Sequence, residues 1–196
     1  MANYRAIAAA SQAILGLLSS AAPRPEMSAA SFSLYQARDF QNPMEEGISL
    51  FLYHIGTGSG NRNSAARLGP DGKRYRPSLP LDLHYLLTPW AKTAQKQQVL
   101  LGWAIRILED TPIMPSALLN HYASAADTFH DGETVEIVFS PASIQEITNV
   151  WEMAPANRQP SVTYVARMLT LDSDLALSEG PLVQTREFGL RKNAGS

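Results

Sequence analysis

Two apolar runs separated by a long polar stretch constrain the fold of this chain most strongly. They occupy residues 48–55 and 79–87, and Gly, Pro, Asn and Asp residues lie around them. Runs of aliphatic and aromatic side chains bounded in this way are typical of buried strands. In the second run, positions 81, 83, 85 and 87 are Leu, Leu, Tyr and Leu, and they share one face because side chains alternate along a strand. The pattern predicts two strands with the core on that face.

Periodicity and helix breakers predict the remaining elements. Helices are expected over residues 3–19, 95–108 and 116–123, and strands over residues 31–36, 134–139 and 162–171. Another helix is predicted to follow a Ser140 cap, with Pro141 as its first residue and a buried stripe of Ile144, Ile147 and Trp151. Helices interspersed with strands favour an α/β or α+β fold, in which helices pack on a mixed sheet of four or five strands.

Composition excludes several classes of protein. The chain has 196 residues, 45% of them hydrophobic and 17% charged, as expected for one folded domain. The net charge of −2 gives no global basic field for nucleic acid, and the absence of cysteine excludes disulfides and thiolate metal sites. The early apolar run at residues 6–18 contains Ser11 and Gln12 and lacks a basic lead, which argues against a signal peptide or membrane insertion. We therefore expect folding in the cytoplasm.

A glycine run raises the possibility of anion binding. Gly56, Gly58 and Gly60 come after the first apolar run, as the glycines of a phosphate cradle come after a strand. The residues after this run predict a loop rather than a helix, and the lysine and serine that end a Walker loop are absent. A nucleotide- or phosphate-binding enzyme that uses this loop is therefore the alternative hypothesis, and a flexible loop is favoured.

Two polar clusters are candidates for metal binding or proton transfer. Asp82 and His84 share one strand face, but the sequence offers no third ligand, so hydrogen bonds to a helix or neighbouring subunit are favoured. The second cluster matches no metal-ligand spacing and comprises His121, Asp127, His130 and Asp131. No serine has the flanking residues of a nucleophile elbow. We accordingly predict no catalytic residue, no metal and no cofactor.

The polar stretch at residues 56–80 is a candidate contact arm. Its five cations oppose Asp71 alone, so its local charge is about +4. Loops of this length in a compact domain are usually functional or disordered. The predicted partner interface consists of Arg62, Arg67, Lys73, Arg74 and Arg76. The alternative is a solvated loop.

Residues 172–196 form a second candidate arm. Residues 182–188 alternate in a strand-like pattern, and such a segment can pair with the sheet edge of a neighbour. A disordered terminus is the alternative. The predicted organisation is a domain over residues 1–171 and an extension over residues 172–196.

Several sequence blocks occur in an order that resembles a known family. They are NYRAIA at 3–8, LFLY at 50–53, RN at 62–63, RP at 76–77, LDLHYLL at 81–87, LLG at 100–102, SIQEI at 143–147, Trp151 and PSVTY at 160–164. Together, over residues 3–171, they resemble the cap, or tail-terminator, proteins of extracellular contractile injection systems, which are phage-tail-like particles. The chain departs from the family's pattern at residues 56–69 and after residue 171.

The resemblance implies a structural protein rather than an enzyme. It implies a tail-terminator-like fold and a sixfold ring that caps the inner tube and outer sheath, sets their length and couples them. The expected partners are further copies of the chain and the tube and sheath proteins, in a particle that assembles in the cytoplasm and is released or anchored to a membrane. An adaptor domain of another multiprotein assembly is a further alternative.

Overall fold

A mixed six-stranded sheet forms the centre of the chain. The computed structural model describes residues 2–23, 25–58, 65–69, 71–123, 125 and 127–177. The strands within these residues are β1 (Ser31–Leu34), β2 (Gly47–Thr57), β3 (Arg67–Leu68), β4 (Arg74–Tyr75), β5 (Leu79–Trp90), β6 (Ile113–Pro115), β7 (Thr134–Phe139) and β8 (Val162–Leu171). The main sheet has the order β1-β2-β5-β8-β7-β6, and β3 pairs with β4 separately. Only β1 and β2 are parallel among the paired strands of these residues.

The helices lie on both faces of the sheet. They are α1 (Ala6–Ala21), α2 (Ala94–Asp110), α3 (Ser116–Tyr122) and α4 (Ile144–Trp151), with short 3₁₀ turns at Ala37–Gln41 and Pro155–Asn157. The first three helices and one sheet face enclose the larger core, which includes Leu83 and Tyr85. The other sheet face carries a smaller, mainly aromatic core around Phe40, Trp90 and Trp151. The predicted inward face of the second apolar run is confirmed.

Local sequence explains where two of the helices begin. The Thr93 hydroxyl accepts a hydrogen bond from the amide of Lys96 at 3.3 Å and caps α2. At α4, the amide of Glu146 donates to the Ser143 hydroxyl at 3.2 Å, and the amide of Ser143 donates to the Glu146 carboxylate at 2.7 Å. This reciprocal pair is a capping box, which satisfies two backbone donors at once.

The fourth helix differs from the sequence prediction. It begins after Ser143, so the prediction of a Ser140 cap and Pro141 as first residue is wrong. Ile144 is 82% exposed, whereas Trp151 is 1% exposed. The predicted stripe therefore holds at Trp151 and at the partly buried Ile147, which packs against the smaller core, and fails at Ile144, the first residue of the helix.

The sheet is larger than predicted. Six strands replace the predicted four or five, because residues 113–115 add an edge strand that the sequence pattern does not predict. That segment holds Pro115 and only three residues, so it has no periodicity to detect. The predicted long loop also contains the hairpin formed by β3 and β4. Within the described residues, no helix has the length and apolarity needed to cross a membrane.

Candidate functional site

The hairpin β3–β4 brings the predicted basic interface residues onto one small element. The amide of Gly69 donates to the carbonyl of Lys73 at 2.8 Å, and Gly72 takes φ +75°, a conformation that favours glycine. Four of the five predicted residues lie in or beside the hairpin, whereas Arg62 lies outside the described residues. This part of the predicted loop is therefore a β-hairpin.

Arg67 is engaged within the chain. Its Nε lies 3.3 Å from the Asp172 carboxylate, and the Asp172 side chain is only 9% exposed. Its NH2 group donates to the carbonyl of Ser173 at 3.3 Å, and its guanidinium lies 4.8 Å from the ring centroid of Tyr75. A planar guanidinium suits such combined ion-pair and stacking contacts. Arg67 therefore fastens the hairpin to the segment after β8.

Backbone pairing strengthens the same connection. The amide of Leu177 donates to the carbonyl of Arg74 at 2.7 Å, and the amide of Arg76 donates to the carbonyl of Leu175 at 3.1 Å. Tyr75 also forms an antiparallel bridge with Ala176. Residues 175–177 therefore pair with residues 74–76, while residues 178–196, including the alternating stretch at 182–188, lie outside the described residues.

Three cations of the hairpin face solvent. We call Lys73, Arg74 and Arg76 the hairpin cations, because all three are exposed. Lys73 lies 3.7 Å from Asp71, but the Lys73 side chain is 69% exposed, so this pair contributes little to stability. Within the described part of the chain, the side chains of Arg74 and Arg76 have no carboxylate within ion-pair distance.

The hairpin also carries negative charge. The Tyr75 hydroxyl donates to Asp71 at 2.9 Å, and this bond lowers the pKa of Asp71, which keeps the carboxylate ionised. Asp71, Asp172 and Asp174 line the same open depression of about 430 Å³ beside Arg67. The surface around the hairpin therefore has mixed charge. Among the described residues, Arg74 and Arg76 are its cations without an ion-pair partner.

His84 has a cross-strand partner that the sequence pattern did not reveal. His84 is the direct cross-strand partner of His54 on β2, and their ring centroids are 5.1 Å apart. Burial lowers the pKa of His84 and the neighbouring His54 lowers it further, whereas Asp82 opposes both effects. Each histidine lies in one of the two apolar runs, so pairing of those runs as strands could have brought them together. The sequence does not reveal the register of that pairing, which decides that His54 lies opposite His84.

The glycine run is mostly part of the sheet. Gly56 pairs with Asp82 in the β2–β5 ladder, and the amide of Gly58 donates to the carbonyl of Pro80 at 3.1 Å. These backbone groups therefore belong to strand pairing rather than to an open phosphate cradle. Gly60 lies outside the described residues.

The second polar cluster is dispersed. His121 is on α3, where its ring contacts Tyr122, and the other members lie in the connection before β7. The amide of His130 donates to the Glu133 carboxylate at 2.8 Å. Within the described residues, no group of three or more His, Asp or Glu side chains has the arrangement of a metal site.

Comparison with solved structures defines the class of fold. The sheath/tube terminator of the extracellular contractile injection system PVC, in its extended state, superposes with a TM-score of 0.63 at 12% identity, over 96% of this chain and 64% of that one. The tube-terminating cap of the anti-feeding prophage superposes with a TM-score of 0.58 at 16% identity, over 91% of this chain and 59% of that one. The chain has the α/β fold of these terminators and spans less than two thirds of either protein.

Family comparison places the chain more narrowly. Residues 9–185 match the Pvc16 N-terminal domain family, and the chain belongs to that family. The predicted resemblance to tail-terminator proteins is confirmed. No curated protein matches the chain.

Proposed function

We propose that this protein is a structural cap that terminates the inner tube and outer sheath of a contractile injection particle. The observation that carries this proposal is the family match over residues 9–185. The shared fold with two terminators supports it, since the superpositions cover 96% and 91% of this chain. The role is non-enzymatic: binding surfaces, rather than a catalytic centre, carry it out.

The cap acts as a ring of identical subunits, with a hexamer as the proposed state. A closed ring needs a head-to-tail contact between two different surfaces of each copy. The main sheet supplies unlike edges for such a contact, β1 at one end and β6 at the other. Exposed apolar side chains at these edges, Leu34 at 47% and Ile113 at 57%, support their use in association.

Capping fixes particle length by asymmetry of the ring. One face binds the last tube and sheath subunits and the opposite face offers no equivalent surface, so addition stops. The hairpin cations, together with the sequence-predicted Arg62, form the proposed contact with tube or sheath, because the hairpin cations are exposed and available to acidic partners. Arg67 supports this contact indirectly, through its ion pair with Asp172.

The proposed organisation keeps residues 1–171 as the terminator domain and residues 172–196 as an extension that contacts partners. Pairing of residues 175–177 with residues 74–76 supports a path for the extension that starts beside the hairpin cations. Assembly takes place in the cytoplasm of the producing cell, where tube and sheath subunits polymerise.

Imaging and deletion test the proposal separately. Negative-stain images of the purified protein should show rings of uniform diameter, and a compact monomer at every concentration would contradict the ring. A strain that lacks the protein should make few particles, with over-long or separated tubes and sheaths. Normal numbers of full-length contractile particles in that strain would refute the capping function.

A further inference from the structure

The cross-strand histidine pair has an arrangement that the capping function does not use. His54 and His84 face each other directly in the β2–β5 ladder, next to a register irregularity between Leu52 and His54. A point where a Cβ atom on Gly56 would sit lies 3.8 Å from Nε2 of His54 and 3.4 Å from Nε2 of His84. Both Nε2 atoms therefore lie close to the same place, and the absent side chain of Gly56 leaves that place open.

The separation of the two rings fits a shared metal ion. Zn²⁺ binds an imidazole nitrogen at about 2.0–2.1 Å, and the ring centre lies roughly 1.1 Å beyond that nitrogen, so two imidazoles on a tetrahedral ion have centres about 5 Å apart. The centroids of His54 and His84 are 5.1 Å apart. This separation matches that of two imidazoles bound to one ion.

An acidic side chain also lies on the same strand face as His84. The Asp82 carboxylate lies near this place, since its Oδ1 is 3.4 Å from the Cβ position of Gly58, and Gly58 follows Gly56 by one side-chain repeat. Its negative charge offsets part of the positive charge of a bound ion.

We propose that His54 and His84 chelate one divalent transition-metal ion through their Nε2 atoms, with water in the remaining coordination positions. This inference is independent of the proposed capping function. Imidazole ligands suit Ni²⁺, Cu²⁺ and Zn²⁺ and do not suit Ca²⁺ or Mg²⁺, which require oxygen ligands. Since the described residues offer no three-ligand group, the site exchanges its metal readily.

Titration of the tag-free full-length protein with NiCl₂ and ZnCl₂ tests the inference. Isothermal titration calorimetry near neutral pH should show one saturable site per chain for each ion, and none for MgCl₂. His54→Ala and His84→Gln should each abolish that site, the second substitution keeping a side chain of similar length. His121→Ala is the matched control, because His121 lies on α3 away from the pair, and it should bind as the native protein does.

Circular dichroism on each variant separates loss of binding from loss of folding. Loss of the site in both pair variants, with native spectra, supports the chelate. Absence of saturable binding by the native protein would overturn it, as would binding that survives either pair substitution or disappears in His121→Ala. In each of those cases the two rings make a packing contact only.

Discussion

Replacement of Trp151 by alanine provides the sharpest test of the smaller core. Trp151 is 1% exposed and its ring centroid lies 5.3 Å from that of Phe40 and 6.3 Å from that of Trp90. The Phe40 contact is edge-to-face, with 86° between the ring planes. The substitution therefore removes the ring that joins α4 to the aromatic side chains of the sheet face.

The expected loss of stability arises from the cavity. Deletion of a buried Trp side chain costs about 3–5 kcal/mol of unfolding free energy. For a domain of this size, each kcal/mol shifts Tm by about 2–4 °C, so Tm should fall by about 6–20 °C. A loss of this size is a large part of the stability of an ordinary domain, and low solubility of the variant is expected.

Trp151→Phe separates packing from hydrogen bonding. The indole N–H of Trp151 is buried without a hydrogen-bond partner among the described residues. Phenylalanine keeps most of the ring and removes this unsatisfied donor, so the loss should be only about 1–2 kcal/mol. Ile144→Ala is the control on the same helix, and at 82% exposure it should change stability by less than about 0.5 kcal/mol.

Urea unfolding followed by circular dichroism measures the unfolding free energy of all three variants. We expect Trp151→Ala to be much less stable than Trp151→Phe, and Ile144→Ala to match the native protein. If Trp151→Ala stays soluble with native stability but no longer joins particles, Trp151 belongs to an interface and the assignment of this core is wrong.

Three further perturbations test other parts of the structure. Replacement of the hairpin cations by Ser should preserve the fold but abolish binding to preassembled tube or sheath ends in sedimentation assays. Binding of the native protein should weaken with salt, because the Debye length falls from about 10 Å at 0.1 M to about 3 Å at 1 M. Equal binding of both proteins at low salt would refute the contact. Ser143→Ala should cost about 1 kcal/mol in urea unfolding, because it removes the α4 cap, and no change would contradict the capping box. Tyr85→Phe should also cost about 1 kcal/mol, because it removes a buried 2.8 Å hydrogen bond to Ser11, and unchanged stability would show that this bond contributes nothing.

The sequence predicts those elements whose own residues contain a strong periodic signal. The strands β7 and β8 have the predicted bounds, and β5 places residues 81, 83, 85 and 87 in the core as expected. β7 and the first part of β5 alternate, so a one-residue slip would turn their apolar face away from the core, whereas residues 163–166 of β8 are all buried. Local sequence pattern and tertiary packing agree in these strands, so the pattern alone predicts them.

Elements that depend on partners elsewhere in the chain were not predictable. β6 has three residues and is a strand only because β7 supplies its hydrogen bonds. The start of α4 depended on a choice between Ser140 and Ser143, both followed by apolar residues, and the reciprocal contact with Glu146 decides it. The pairing of His54 with His84 required the register of two strands that lie about 30 residues apart in the sequence.

The hairpin shows why a charge count from sequence overstates an interface. The sequence assigns a charge of about +4 to residues 56–80 because it contains a single acidic residue among the cations of that stretch. Folding brings Asp172 against Arg67 and places Asp174 in the same depression, so distant carboxylates neutralise part of that charge. Since the Arg67 pair is mostly buried, its role is to fix the hairpin rather than to attract a partner. If this surface binds tube or sheath as proposed, the position of the hairpin cations matters more than net charge, and Arg67→Ser should impair docking by displacing them.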